Sequence, residues 1–322
     1  MSMPIAERFV EKFKQGLQRY PDEVFIFLII TDIKSHFYRR SLKKYLPIGE
    51  TVSFLSGYTI PQNIISRLFI DSPVSGVAWF PSVAPAYMLG RAIDDMSDGD
   101  LDPKVFGYDN FPAYIRTAKR QIRNGCSEVE KGYTLDFLLK YTLEKLEKEQ
   151  KPTDNVRQDW DMFLDAMMVE YDRRINHKVL TKNELKTLDD NSFSYAHNIM
   201  LISLHSNTRF KDIEEIGQLQ GKIFALRDLK PELVLSICNI PQEILGKAHL
   251  DLIALIENPN LIDNNEEILR WMKEELDLGK NLFDELKQKI PKLDFIAKIY
   301  LNFLMKGVEL GMKKVEKEWF FK

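Results

Sequence analysis

The sequence predicts an all-α protein, a single orthogonal bundle of about ten to twelve helices with residues 1–322 as one domain. Three observations carry that expectation. Apolar residues recur at the three- and four-residue spacing of a helix face nearly everywhere. No alternating run bounded by turn pairs reads as a convincing strand. The breaks between periodic stretches are too short to be domain linkers. A chain of 322 residues readily buries a core. No internal repeat of the length that builds solenoids is visible.

The elements follow in chain order. Met1 to Gln15 mixes acidic and basic residues and lacks the apolar centre of a signal peptide. Val24 to Ile30 is strongly apolar but stops at Asp32, far short of the ~20 residues a spanning helix needs. Val77 to Ile93 contains Pro81, Pro85 and Arg91 and runs into a carboxylate cluster, so it reads as a buried helix. Leu139, Leu143 and Leu146, then Trp160, Phe163 and Met167, repeat with helical period. Ile268, Leu269, Met272, Leu276, Leu282, Phe283, Leu286 and Ile290 form one apolar face, with Asp263 or Asn264 as N-cap and Pro291 as the stop. Gly57, Pro73 to Gly76, Gly99 to Pro103, Lys151 to Asp154 and Asn258 to Asn260 are the breaks. Met305 to Lys322 is amphipathic and Lys-rich, ending in Trp319, Phe320 and Phe321, which leaves both a solvated last helix and peripheral membrane contact open.

Composition narrows the function. With 45 Lys plus Arg against 48 Asp plus Glu the net charge is −3, so no polyanion-binding footprint appears and nucleic acid is not an expected partner. Cys126 and Cys238 are neither paired nor in a CxxC, which suits a reducing cytoplasm and excludes a zinc ribbon. His36, His177, His197, His205 and His249 show no metal-ligand spacing and read as structural. No GxGxxG, P-loop or GxSxG is present.

Two acidic stretches remain. Asp94, Asp95 and Asp98 lie in Arg91-Ala92-Ile93-Asp94-Asp95-Met96-Ser97-Asp98. On a helix Asp94 and Asp98 project from one face and can share divalent metal beside an anionic substrate. Asp228 and Glu232, in Arg227-Asp228-Leu229-Lys230-Pro231-Glu232, repeat the four-residue spacing far downstream. Either they form a second wall of one metal site, or they are surface charges flanked by Arg227 and Lys230.

The flanking residues resemble the squalene/phytoene synthase family. Tyr87-Met88-Leu89-Gly90-Arg91-Ala92-Ile93-Asp94-Asp95-Met96-Ser97-Asp98 is similar to the family's Y-x-x-x-R-x-x-D-D-x-x-D helix. Gly217 to Asp228, then Glu232 and Asn239-Ile240-Pro241, run in register with G-x-A-L-Q-x-x-N-I-L-R-D-x-x-x-D followed by G-R-x-Y-L-P. Phe163 to Arg173 and Thr181-Lys182-Asn183-Glu184-Leu185 resemble its central helix and T-x-x-E-L turn. The likeness spans roughly residues 75 to 310.

There are departures. Phe224 stands where the family carries a metal-ligating Asn, Glu232 replaces Asp and follows a helix-breaking Pro231, and Ser236 to Asn239 replace the G-R-x-Y stretch. The family's Ser-rich first helix is faint around Ser35 to Pro47, and Phe54 to Ser82 is long.

The resemblance implies a helical bundle around a central cavity, of the isoprenoid synthase type. It implies an enzyme that ionises an allylic prenyl diphosphate, farnesyl or geranylgeranyl, with Mg²⁺ or alternatively Mn²⁺. Asp94, Asp98, Asp228 and Glu232 would hold the metal, Asp95 would join them in catalysis, and Arg91 and Arg227 would face the diphosphate. Head-to-head prenyl transfer is the leading expectation. A terpene cyclase acting on one diphosphate and a non-catalytic scaffold of the same fold are the alternatives. NADPH is not indicated. Arg39, Arg40, Arg173, Arg174 and Lys178 either extend a phosphate clamp or are solvated side chains, and Phe163, Met167, Met168, Phe193 and Tyr195 line either an isoprenoid tunnel or an ordinary core.

Overall fold

A computed structural model describes residues 83–127, 129 and 135–320. The expectations placed on Met1 to Ser82, and on Phe321, lie outside these residues. Among the described residues there are eleven α-helices and no strand, as the periodicity predicts. They fall into two compact units that divide between Arg157 and Gln158.

The first unit is built on three helices. α1 (Val83–Asp98) tolerates Pro85 because it falls in the first turn, where an amide has no helical partner to lose. It ends at Gly99, whose φ of 82° lies in the left-handed region, and the Leu101 amide returns to the Asp95 carbonyl at 3.0 Å. Leu101 is buried, so the break from Gly99 to Pro103 is a compact corner leading to a 3₁₀ turn, Pro103–Phe106, capped by Asp102. α2 (Phe111–Arg123) starts where Asn110 accepts the Ala113 amide at 2.9 Å. α3 (Leu135–Glu149) packs on both earlier helices. Leu89, Ile93 and Met96 of α1, Tyr114 and Ala118 of α2, and Leu139, Leu143 and Leu146 of α3 are fully buried.

The second unit has α6 (Glu215–Arg227) at its centre. It is packed by α5 (Lys182–Ser203), α10 (Glu266–Lys289) and α11 (Phe295–Val315). α4 (Val156–Ile175) precedes these helices, while α7 (Leu229–Leu233), α8 (Gln242–Ala248) and α9 (Leu252–Glu257) lie between α6 and α10. The Thr181-x-x-Glu184 turn is a capping box: Glu184 accepts the Thr181 amide at 2.8 Å, and Thr181 Oγ1 accepts the Glu184 amide at 3.2 Å.

Two interior glycines explain how closely α6 is held. A Cβ on Gly279 of α10 would lie 2.8 Å from Ile223 Cδ1, and one on Gly311 of α11 would lie 2.9 Å from Ile223 Cγ2. Ile223, fully buried, therefore fills notches in two neighbouring helices at once.

Polar groups fix the same unit from inside. His197 Nδ1 is 2.7 Å from the Tyr300 hydroxyl, and Nε2 bonds Gln220 Oε1. Because that amide oxygen can only accept, Nε2 carries the proton and Nδ1 accepts from Tyr300. Asp294 caps α11 by accepting the Ile296 and Ala297 amides at 3.0 Å. Its other oxygen accepts from Ser206 Oγ, Thr208 Oγ1 and the amides of Asn207 and Thr208.

One expectation needs correction. Asn265, and not Asp263 or Asn264, caps α10 by accepting the Ile268 amide, because Asp263 is engaged by Lys230 at 2.7 Å. In the last helix the described aromatics Trp319 and Phe320 are partly buried. Trp319 and Phe320, in a short π-helical turn Glu316–Phe320, pack against the unit's own core, with Lys230 over the Trp319 ring at 5.0 Å. No described helix is long and apolar enough to cross a membrane.

Candidate functional site

The first acidic stretch is the C-terminal turn of α1, and its carboxylates divide by depth. Asp95 is 2% exposed and takes Arg91 Nη2 at 2.7 Å. Asp94 is half-buried and takes Arg91 Nη1, so one guanidinium joins two consecutive aspartates. Asp98 is also half-buried, on the face it shares with Asp94. The Ser97 hydroxyl lies 2.8 Å from the Asp94 carbonyl and 3.3 Å from Asp98 Oδ1. The structure thus brings Arg91, Asp94 and Asp95 together and leaves Asp95 buried as the anchor of Arg91.

The second stretch is arranged differently. α6 ends at Arg227, Asp228 links it to α7, and Pro231 lies inside that short helix. Asp228 is held by Arg227 through Nε at 2.8 and 3.0 Å and through Nη2 as well. The same guanidinium stacks on the Phe224 ring at 4.4 Å, and Phe224 meets Phe193 edge-on at 6.2 Å. The Glu232 amide closes onto the Asp228 carbonyl at 2.9 Å, while the Glu232 carboxyl is bonded by Asn239 Nδ2. Loss of water around that carboxyl, followed by the negative neighbours Glu170 and Asp228, pushes it up to about 8.

Sequence reading missed what lies beneath this stretch. Arg173, 2% exposed, donates to Glu170 at 2.9 Å, to the Cys238 carbonyl at 2.7 Å and to Asn239 Oδ1 at 2.8 Å. It is therefore a buried tie holding Asn239 against Glu232, and its burial leaves it no phosphate-clamp role. The stretch read as a lost G-R-x-Y is the receptor for this arginine, and Ser236 turns the chain there with a φ of 64°. Arg173 stands in the charged run Glu170-Tyr171-Asp172-Arg173-Arg174, which reads as a solvated helix face and carries no signal that one member is buried. Lys178 is likewise paired with Glu184 at 3.3 Å. Asp189 is the other unforeseen carboxyl. Burial, then Glu170, raises it to about 8, and its Cγ lies 2.2 Å from where a Cβ on Gly221 would be.

Magnesium demands oxygen donors and usually takes one or two carboxylates, with water and phosphate oxygens completing its shell. The half-buried pair Asp94 and Asp98 fits that demand. Asp228 and Glu232 do not, because Arg227 takes both Asp228 oxygens whereas Arg91 takes only Oδ2 of Asp94, Glu232 is bonded to Asn239, and Phe224 offers only hydrocarbon. Among the described residues no three His, Cys, Asp or Glu side chains are grouped as a metal centre.

The helical architecture is that of the isoprenoid synthases. A solved structure that shares it is squalene synthase HpnC from Alicyclobacillus acidocaldarius, with a TM-score of 0.60 at 14% sequence identity, covering 95% of this chain and 98% of that one. At that identity the likeness establishes the fold. No family model matches the chain, and no curated protein matches it.

Proposed function

We propose that this protein processes prenyl diphosphates, farnesyl or geranylgeranyl, releasing diphosphate from an allylic substrate and coupling two molecules head to head. The observation that carries the reading is the end of α1, where Asp94 and Asp98 share a half-buried face beside Arg91, in a chain with the fold of a squalene synthase. Asp94 and Asp98 would hold magnesium, or manganese in its place, and the ion would supply positive charge to the departing diphosphate. Asp95 keeps Arg91 oriented from below, so that the guanidinium meets phosphate oxygens in a fixed pose. A terpene cyclase acting on one diphosphate is the second reading, favoured by Phe224 in place of a metal-ligating Asn and by the missing G-R-x-Y stretch.

The test is incubation of purified protein and Mg²⁺ with geranyl, farnesyl and geranylgeranyl diphosphate in turn, measuring diphosphate release and extracting the hydrocarbon for mass spectrometry. Doubled carbon number is the expected result, and unchanged carbon number would select the cyclase. A folded protein that releases no diphosphate from any of them sinks both readings and leaves a scaffold of the same fold. Asp94→Asn should reduce turnover by at least a hundredfold with the helical circular dichroism unchanged.

A further inference from the structure

We infer that the wall formed by Phe224, Arg227, Asp228 and Glu232 is metal-free, with Asp228 acting as the counter-ion that fixes Arg227 and Arg227 itself presenting the positive charge to a diphosphate. The inference rests on the reading of the protein as a prenyl diphosphate enzyme, and what it adds is that at this stretch a guanidinium takes the place of a bound metal.

Four observations point the same way. Both Asp228 oxygens are bonded by Arg227, at 2.8 and 3.0 Å from Nε alone, so a metal would have to displace a charge-assisted pair before it could bind. One turn earlier, Phe224 gives the guanidinium a ring to stack on at 4.4 Å, where an oxygen ligand would otherwise be needed. One turn later, Glu232 is bonded by Asn239, which is itself fixed by Arg173 at 2.8 Å. Finally, Asp228 uses Nε and Nη2, so Arg227 keeps the Nη1 hydrogens for another acceptor while remaining 33% exposed. Stacking below and a carboxylate on one edge hold the planar group in one orientation. A lysine could copy neither constraint.

A positive residue in place of a bound cation changes what the wall responds to. Its charge does not depend on metal concentration, because the guanidinium is part of the chain itself. Asp228 in this arrangement is a positioning residue and touches no substrate.

The test uses binding equilibria and needs no turnover. Mn²⁺ binding to the full-length protein is followed by electron paramagnetic resonance, and inorganic diphosphate binding by calorimetry with and without metal. In D94N/D98N the manganese sites should be lost. In E232Q, and in D228N wherever circular dichroism confirms that it folds, manganese affinity and stoichiometry should stay within twofold of the unaltered protein. R227Q should weaken metal-free diphosphate binding about tenfold or more, R227K should not restore it, and D228N should weaken it severalfold through loss of orientation.

Loss of a manganese site in E232Q or D228N overturns the inference, as does unchanged diphosphate affinity in R227Q. The prenyl-transfer reading fails separately, by absence of turnover. A protein that shows the manganese and diphosphate pattern but turns over no substrate would keep the wall and lose the reaction.

Discussion

His197 is neutral inside its unit because burial disfavours the charged ring, an effect that the bond to Gln220 opposes only in part; the proton affinity falls to about 4. An unfolded chain takes up that proton near pH 6.5, whereas the folded one does not until about 4. The stability this residue contributes is thus complete above the first value and is lost as pH falls through the second, amounting to roughly 3 kcal/mol. Urea unfolding at pH 7 and at pH 4.5 should show that slope, and His197→Gln should flatten it. An equal slope in the variant would remove His197 as its source. Reading His197 as a structural histidine from sequence agrees with its two hydrogen bonds. Its partners were not legible, because Gln220 and Tyr300 lie 23 and 103 residues further along the chain, and nothing in a polar side chain's neighbours announces what it will meet. The same holds for Arg173 and Asn239. By contrast Arg91, Asp94 and Asp98 were legible, since three- and four-residue offsets on a helix convert sequence spacing directly into a shared face.

Between elements, the contact of Ile223 with Gly279 and Gly311 makes a selective prediction. Gly279→Ala and Gly311→Ala should each destabilise by about 1–3 kcal/mol through overpacking, despite the better helix propensity of alanine. Ile223→Val removes Cδ1, the atom nearest Gly279, but keeps Cγ2, the atom nearest Gly311. Thermal denaturation of the double variants should therefore show I223V rescuing G279A and not G311A. Equal rescue of both would mean that the helices separate as rigid bodies and the notches are not atom-specific. Asp294 supports a second prediction at this scale. Burial raises its carboxyl's proton affinity, but donors from Ser206, Ala297 and Thr208 outweigh that and hold it far below the usual carboxylate range. Its contribution is present above the ordinary carboxylate value and fades in strong acid. Asp294→Ala should cost about 2 kcal/mol at pH 7, read by urea unfolding, because it removes both the cap and the anchor of the Ser206 to Thr208 loop. The apolar period of α10 and α11 announced that these helices exist. It could not say that α6 lies against them, since a face gives a direction and not a partner. Its cap was misplaced because Asp263, Asn264 and Asn265 are all competent, and only the Lys230 to Asp263 pair decides among them.

For the whole molecule, the dependence of stability on pH sets groups of opposite sign against each other. His197 and Asp294 lose their contribution on the acid side. Asp189 and Glu232 act the other way: each has a proton affinity raised to about 8, chiefly by burial. A carboxyl of this kind contributes fully below its ordinary value, 3.8 for Asp189, and the contribution is lost as pH rises through about 8. Asp189 is the cleaner test, because Glu232 belongs to the candidate site. Its neighbours Glu170 and Asp190 repel a second negative charge, Lys222 and Arg173 only partly offset that, and the absent side chain of Gly221 leaves it room to lie against α6. Asp189→Asn keeps the shape and removes the charge. At pH 9 the variant should be more stable than the unaltered protein by roughly 2 kcal/mol, a figure reduced for the water that still reaches the half-buried side chain. At pH 4.5, where Asp189 carries its proton when folded and loses it when unfolded, the advantage should vanish or reverse. Melting temperatures of both proteins between pH 4 and 9 would decide it, and parallel curves would mean that Asp189 stays ionised in the folded unit, stabilised by Lys222 and Arg173 after all.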